Sequence, residues 1–399
     1  MNAYLKTHPD ILLVILFAGL CWILFALPTG YDQLISKDTH YDKARVLSVD
    51  NSDIMVHAIV KAGTQDLEVK MLAGPFKGEK ARVINALKGK MELDEIYQKG
   101  QVILVQYTVI NGKIKTAYSN GHYRISHEVW LLGLFALLLL AVGGWTGLKA
   151  LLSFALAGLM LWKIMVPLFL KGYDPIPIAL AVVGFLTLAI SLLVGGLTRR
   201  GAVTFFGAFL GLVFTCILAL YFNESFRIHG AVRPFAETLL YSGFYDLQIT
   251  RIFLAGIFIA SSGAVMDLAM DIAASMDEVK KNNPDISLKD HIRSGMSVGR
   301  AVIGTMTTTL LLAYSGGYMT MMMLFMAQGV PLINFFNINF VAAEVLNTLV
   351  GSFGLVTVAP FTAAVGGFVY HFRPDGILKK TMPVTSEEMK HCASQIRTE

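Results

Sequence analysis

Asp267 and Asp271 stand four residues apart in the stretch IASSGAVMDLAMDIAASMDEV, Ile259 to Val279, inside a run of small and apolar residues. A four-residue step on a helix is about 400°, so both carboxylates project from nearly one face. Gly263 continues that face one turn outward and Ala274 one turn inward. A carboxylate near the middle of a bilayer costs roughly 2.5–3.5 kcal/mol to insert. Asp267 is therefore expected to face a bundle interior, a partner or water. For Asp271 a plainer reading stands beside this one: a place near the inner surface, solvated or paired with Arg293 or Arg300. The chemistry open to such residues is exchange of a proton or a cation, because protonation removes the charge that burial penalises.

A second set lies in NINFVAAEVLNTLVGSFGLVTVAPFTAAVGG, where Glu344 and Asn347 are three residues apart and share a helix face. Together, an outer carboxylate at Glu344 and an inner one at Asp267 would mark a path across the bilayer. The alternative is an interfacial Glu344 beside closely packed small residues. GRAVIGTMTTTLLLAYSGG presents Arg300, Thr305, Thr307, Thr308 and Thr309. Consecutive threonines cannot all face one way, and some bond back to the preceding turn. Thr308 is placed near Asp267 as a hydrogen-bond partner across the bundle.

Other chemistry finds little support. There is no Walker-type loop, HExxH or CxxC, so neither ATP-driven nor zinc-hydrolase chemistry is expected. No nucleophile–base or metal constellation marks an enzyme, and no cofactor is implied. Cys21, Cys216 and Cys392 are too scattered for a disulfide framework. Lys163 lies within an apolar run but has a stem long enough to snorkel. The methionines of YMTMMMLFM, Tyr318 to Met326, have no His or Cys nearby and read as adaptable packing rather than a soft-metal site. The nine histidines do not cluster along the chain.

The elements that must hold these residues are membrane spans. Of the 399 residues 55% are apolar and only 15% charged, and runs of eighteen or more nearly uncharged residues recur. An apolar run at Ile11–Leu27 reads as an uncleaved N-terminal anchor (residues 1–27). Residues 28–127 are polar, with strand-like stretches such as ARVLSV, IMVHAIV and QVILVQYTVI separated by turn signals. They predict a small antiparallel β-domain of about five strands, an OB-like barrel or a sandwich. Seven further spans follow within 128–372, near 129–146, 148–170, 176–197, 202–222, 250–272, 298–327 and 338–370, giving about eight membrane helices. The last two are too long for one straight crossing. Helix breaks are expected at Gly316 and Gly317 in one, and at Gly351, Gly354 and Pro360 in the other.

Charge sets the orientation. With a cytoplasmic N-terminus, the inner segments hold Lys6, Lys149, Arg199, Arg200, Lys280, Lys281, Lys289, Arg293, Arg300, Arg373, Lys379 and Lys380. The short outer loops then hold only Lys171, Arg227, Arg233 and Arg251. The positive-inside rule puts both termini and the tail 373–399 in the cytoplasm, and residues 28–127 outside. The net charge of +5 is accounted for by this topology and calls for no nucleic-acid partner.

SSGAVMDLAMDIAASMDEV, GRAVIGTMTTTLLLAYSGG and EVLNTLVGSFGLVTVAPFTA, together with the outer domain, resemble the bacterial YibE/F-like membrane proteins. That family implies an anchor and small outer domain ahead of a permease-like region. Locally, Gly263 and Asp267, the charged 275–300 loop and Thr307 to Thr309 are similar to the proton-driven resistance–nodulation–division exporters and SecD-type export subunits. This second resemblance implies proton coupling through Asp267.

These features point to a transporter or permease of the bacterial plasma membrane, coupled to a proton or ion gradient, with Asp267, Asp271, Thr308, Glu344 and Asn347 along its path. The partners expected are membrane lipid, a small ion or solute, and a further copy or a second membrane subunit. The alternative is a membrane scaffold or export-assembly factor working through its β-domain.

Overall fold

The computed structural model describes residues 9–31 and 38–372. Lys6, Arg373, Lys379, Lys380 and Cys392 lie outside them. The chain separates into two units, one built on Cys21–Ala155 and Trp162–Pro167, the other on the remaining residues.

α1 (Pro9–Ala26) enters the first unit at Cys21 and is followed there by six strands: β1 (Thr39–Asp50), β2 (Ile54–His57), β3 (Val60–Met71), β4 (Lys80–Lys88), β5 (Val102–Ile110) and β6 (Lys113–His122). β1 pairs antiparallel with both β3 and β5, and β4 pairs in parallel with β6, so five strands close a ring in the order β1-β5-β6-β4-β3. This is a barrel and not a sandwich, because the ring leaves no pair of separate sheets. β2 is a hairpin appendage on β3. Alternating positions, among them Val46, Leu67, Val69, Val83, Ile103 and Val105, point inward and fill the core.

Polar groups inside the barrel are matched. Gln65 is fully buried; its Nε2 donates to Asn51 Oδ1 (2.8 Å) and Tyr97 O (3.0 Å). Its Oε1 accepts from Asn85 Nδ2 (3.1 Å) and the Tyr97 amide (3.0 Å). Ser119 then donates to Asn85 Oδ1 at 2.8 Å. A satisfied network of this kind fixes one register, since any slip leaves buried amides unpaired. At its rim Glu95 pairs with Arg124 and accepts from the His122 amide at 2.8 Å.

α2 (Ile125–Met160) continues through a π-helical turn (Leu161–Met165) into α3 (Val166–Leu170). At about 1.5 Å per residue these 46 residues would reach about 69 Å, more than twice a hydrocarbon core of about 30 Å. The chain resolves this at Gly144, whose φ of 51° and ψ of −123° break the helix. Gly147 then lies against the Leu139 carbonyl with no room for a side chain. The π turn carries Lys163, whose Nζ donates to Leu27 O at 2.8 Å.

The second unit is a bundle of α4 (Pro175–Gly195), α5 (Arg199–Phe226), α7 (Ile249–Asn282), α8 (Leu288–Gly317) and α11 (Asn339–His371), with short α6 (Ala236–Tyr241), α9 (Met319–Ala327) and α10 (Leu332–Asn337) between them. Among the described residues six helices are long and apolar enough to cross a membrane. The core joins Val265, Leu268 and Ile272 of α7 to Leu212 of α5 and Leu355 and Val358 of α11. Small residues let α5 and α11 approach: a side chain at Gly207 would strike Thr362, and one at Gly354 would strike Thr215.

Gly354 therefore serves contact, and the expected break there is corrected. α11 runs unbroken through Gly351, Gly354 and Pro360. The span expected over 298–327 is divided, with α8 ending at Gly317 and α9 starting at Met319.

Gln65→Leu strands the Tyr97 amide inside the barrel and is expected to cost about 2–4 kcal/mol, read as faster amide exchange in β3 and β4. Burial raises the Glu95 carboxyl, but Arg124 and the His122 amide outweigh it and hold it below its ordinary value. A depressed carboxyl contributes stability above its unfolded value of about 4.3 and loses it as pH falls through the folded one. The opening free energy of β6, read from exchange rates corrected for their intrinsic pH dependence, should therefore fall as pH drops below about 4.3, and Glu95→Gln should flatten that fall.

Candidate functional site

Two polar regions of the bundle lie on membrane-length helices. The first is where the connection between α5 and α7 folds back over α11. Arg227 caps α5 in the left-handed region, Gly230–Val232 forms a single 3-10 turn, and Phe235 is also left-handed at φ 61°. A side chain at Gly230 would strike the Ile249 backbone, so glycine allows this close return. The turn delivers Arg233, whose Nη1 donates to Glu344 Oε1 at 2.5 Å while its guanidinium lies 5.1 Å from the Phe253 ring centroid. The other carboxylate oxygen of Glu344 accepts from Asn347 Nδ2 at 3.4 Å.

Around this pair sit buried polar atoms with no hydrogen-bond partner: Asn347 Oδ1, Thr348 Oγ1 and the Tyr314 hydroxyl. In hydrocarbon such groups cost several kcal/mol each unless water, an ion or a solute meets them. Two cavities adjoin the Arg233–Glu344 pair. One, of about 620 Å³, runs from Arg233 and Phe235 past Gly256 and Ala260 of α7 to Asn347. The other, of about 500 Å³, is bounded by Arg233, Gly317, Tyr318 and Glu344. The cavities share Arg233, Pro234 and Phe235, so the strained Phe235 backbone forms part of the wall between them.

The second region is Asp267. Arg251, paired in a two-point contact with Asp174 at 2.8 and 2.6 Å, and Lys280 bracket α7. They are 29 residues apart, about 43 Å of helix, which matches a bilayer of about 40–45 Å including its headgroups. Asp267 lies near the middle of that interval, and Asp271 one turn closer to the Lys280 end. Neither is shielded within the chain. Gly256, Ala260, Gly263, Asp267 and Asp271 form one continuous exposed stripe, while the opposite face of α7 is packed. Neither carboxylate makes a hydrogen bond or ion pair with any described residue.

Of the settings expected for Asp267, the interior of its own bundle is not the one found, which leaves a partner or water. Asp271 pairs with neither Arg293, which lies 3.7 Å from Asp290, nor Arg300, which leaves the solvated alternative. The contact expected of Thr308 is corrected. Thr308 does not reach Asp267: its Oγ1 donates to Gly304 O at 3.2 Å, and Thr305, Thr307 and Thr309 bond back to their own helix likewise. Thr305, Thr308 and Thr309 are exposed, whereas Ile303, Met306 and Leu310 of α8 pack on the core that α7 shares.

Glu344 and Asn347 are brought together, and Arg233 and Tyr314 join them unforeseen. Arg233 was legible only as an outer-loop charge beside a proline, and Tyr314 only as a polar residue ending an apolar run. The structure also brings two histidines together that the sequence keeps eighty residues apart: the rings of His291 and His371 lie 5.3 Å apart at the Lys280 end of the bundle. His291 Nε2 donates to Met276 O at 2.8 Å. Among the described residues no group of three or more His, Cys, Asp or Glu could hold a metal ion.

The family model for YibE/F-like protein matches residues 131–372, and that for the YibE/F family N-terminal domain matches residues 39–121. Neither the curated proteins nor the solved structures give a match.

Removing either partner of the Arg233–Glu344 pair leaves a charge facing the cavities. A double-mutant cycle of Arg233→Gln and Glu344→Gln, followed by detergent-titrated unfolding, is expected to give a coupling of about 1–2 kcal/mol.

Proposed function

The chain belongs to the YibE/F-like family, and from that premise we propose that it is an integral membrane transporter or permease coupled to a proton or ion gradient. One observation carries the reading: the cavity holding Arg233 and Asn347 opens on the same face of α7 that carries Asp267, seven residues beyond Ala260 in the cavity wall. At about 1.5 Å per residue the two are some 10 Å apart. That face is floored by small residues, Gly256 and Ala260 within the cavity and Gly263 beyond it, which leave space where larger ones would fill it.

The outer cluster offers a cation, a carboxylate, an amide and a phenol, a set suited to a small hydrated ion or polar solute. Asp267 is the exchanging carboxylate. Taking up a proton removes the charge that hydrocarbon penalises, so the protonated and ionised chains favour different helix arrangements. Asp271 extends the same face inward. In this reading α1 and the two limbs around Gly144 each cross the bilayer, which gives eight crossings. Both termini are cytoplasmic and the barrel is outside, as the clustering of Lys280, Lys281, Lys289 and Arg293 at one end of α7 and α8 supports. The membrane is the bacterial plasma membrane.

A second reading, a scaffold or assembly factor, has its own support. Met55, Val56, Ile59 and Met91 of the β-domain are 62–77% exposed, and Ile59 and Met91 line a hollow of about 280 Å³. Apolar side chains clustered in this way mark a surface for another protein. Deleting residues 30–126 separates the two: a scaffold loses all activity, whereas a transporter retains flux.

The transport reading is tested in proteoliposomes with a pH-sensitive dye and a panel of ions. Asp267→Asn is expected to lower gradient-driven flux at least tenfold with folding intact, and Glu344→Gln to weaken it less. Full flux in the Asp267 variant would overturn the coupling role.

A further inference from the structure

The exposed stripe of α7 cannot rest against lipid while it carries two carboxylates, and the chain supplies the complement it needs. Arg300 on α8 is also exposed and also without a hydrogen bond or ion pair among the described residues. Asp271 lies eleven residues before the end of α7 at Asn282, and Arg300 twelve residues after the start of α8 at Leu288. At about 1.5 Å per residue both sit roughly 16–18 Å from the turn that joins the two helices. They share a depth and an exposed position, yet do not meet within one chain. Small residues continue both faces: Gly263, eight residues before Asp271 on α7, and Gly304, one turn beyond Arg300 on α8, have nothing within 4 Å of where a side chain would begin.

We propose that a second copy of this chain covers the stripe, with Arg300 of each copy paired to Asp271 of the other. A two-fold axis along the membrane normal keeps every residue at its own depth, so an acidic position on one copy meets the basic position level with it on the other, twice over. The small residues on both helices allow the close approach that replaces lipid. Cover from the second copy also completes the site: it shields Asp267 and roofs the α7 face between that residue and the cavity at Arg233. The dimer is a property of the two helix faces and holds whether or not the chain moves a solute.

The test is cross-linking of the full chain in native membranes, with Cys21, Cys216 and Cys392 replaced by serine. By the same count of rise, Gly263 lies level with Thr308. Two tagged chains, one bearing Gly263→Cys and the other Thr308→Cys, are co-expressed and oxidised; a disulfide-linked dimer is expected. Leu188→Cys, on an exposed position of α4, paired with Thr308→Cys should give none. In the linking pair, Asp271→Arg or Arg300→Asp is expected to lower the yield about tenfold, and both together in every chain to restore it. Absence of the dimer with the native charges in place would overturn the proposal. So would a yield indifferent to charge reversal, or cross-linking to another protein instead. Lost dimer with retained flux would refute this inference and spare the transport reading, and retained dimer with no flux would do the reverse.

Discussion

A carboxylate held in hydrocarbon must be neutralised, hydrated or covered, and this constraint at Asp267 governs the bundle around it. The rest of α7 is conventional. Its packed face, from Phe253 to Met276, is apolar and fills the space between α5, α8 and α11. Turning α7 to hide Asp267 would bring Ile257, Val265 and Ile272 out of that core. At about 25 cal/mol per Å² of apolar area removed from water, such side chains are worth about 1.5–3 kcal/mol each in water, but in lipid the loss is of packing contacts instead. The helix therefore keeps its apolar face in the bundle and its acidic face out. The demand made by Asp267 passes to whatever lies beyond the chain.

The Arg233–Glu344 cluster shows the other solution to the same constraint. Glu344 is also ionisable and on a membrane-length helix, yet it is met inside the chain by Arg233 and Asn347. That compensation depends on the return of the 227–248 connection, which in turn depends on Gly230 having no side chain. The compensation is incomplete, because Asn347 Oδ1, Thr348 Oγ1 and the Tyr314 hydroxyl stay unpaired. A bundle whose sole task was to pack would gain by replacing these with apolar groups, since a buried pair is often no better than a hydrophobic substitute.

How far the sequence carried this picture depended on the length scale of each feature. Periodicity and composition are local, so the β-domain, the apolar helices and the shared faces of Asp267 with Asp271 and Glu344 with Asn347 were readable. Closure of the barrel was not, because it rests on β1 pairing with both β3 and β5 across some twenty and sixty residues. Glycines misled in one place and informed in another. Gly317 ends α8, but Gly351 and Gly354 are consumed by contact with Tyr314, Ser261 and Thr215, and a helix glycine gives no local sign of which use it serves. Which face of α7 is covered is likewise a matter of neighbours. The spacing of the aspartates placed them together and was silent on what stands opposite.

The packing also limits where a change of charge at Asp267 can act. α7 is held at one end by the two-point contact of Arg251 with Asp174, and at the other by Tyr370 donating to Ala273 O at 3.0 Å and His291 donating to Met276 O. Between these ties its inner face is close-packed, and packed cores shift between discrete arrangements rather than deform smoothly. α8 is held differently. Its first half buries His291, Gly295 and Gly299, but beyond them Leu310 is the one residue it buries before the break at Gly317. Its four threonines bond to their own helix and tie it to nothing else. Among the long helices of this unit, the segment between Gly299 and Gly317 thus has little to lose by moving, and it runs level with Asp267 and reaches the cavity at Glu344.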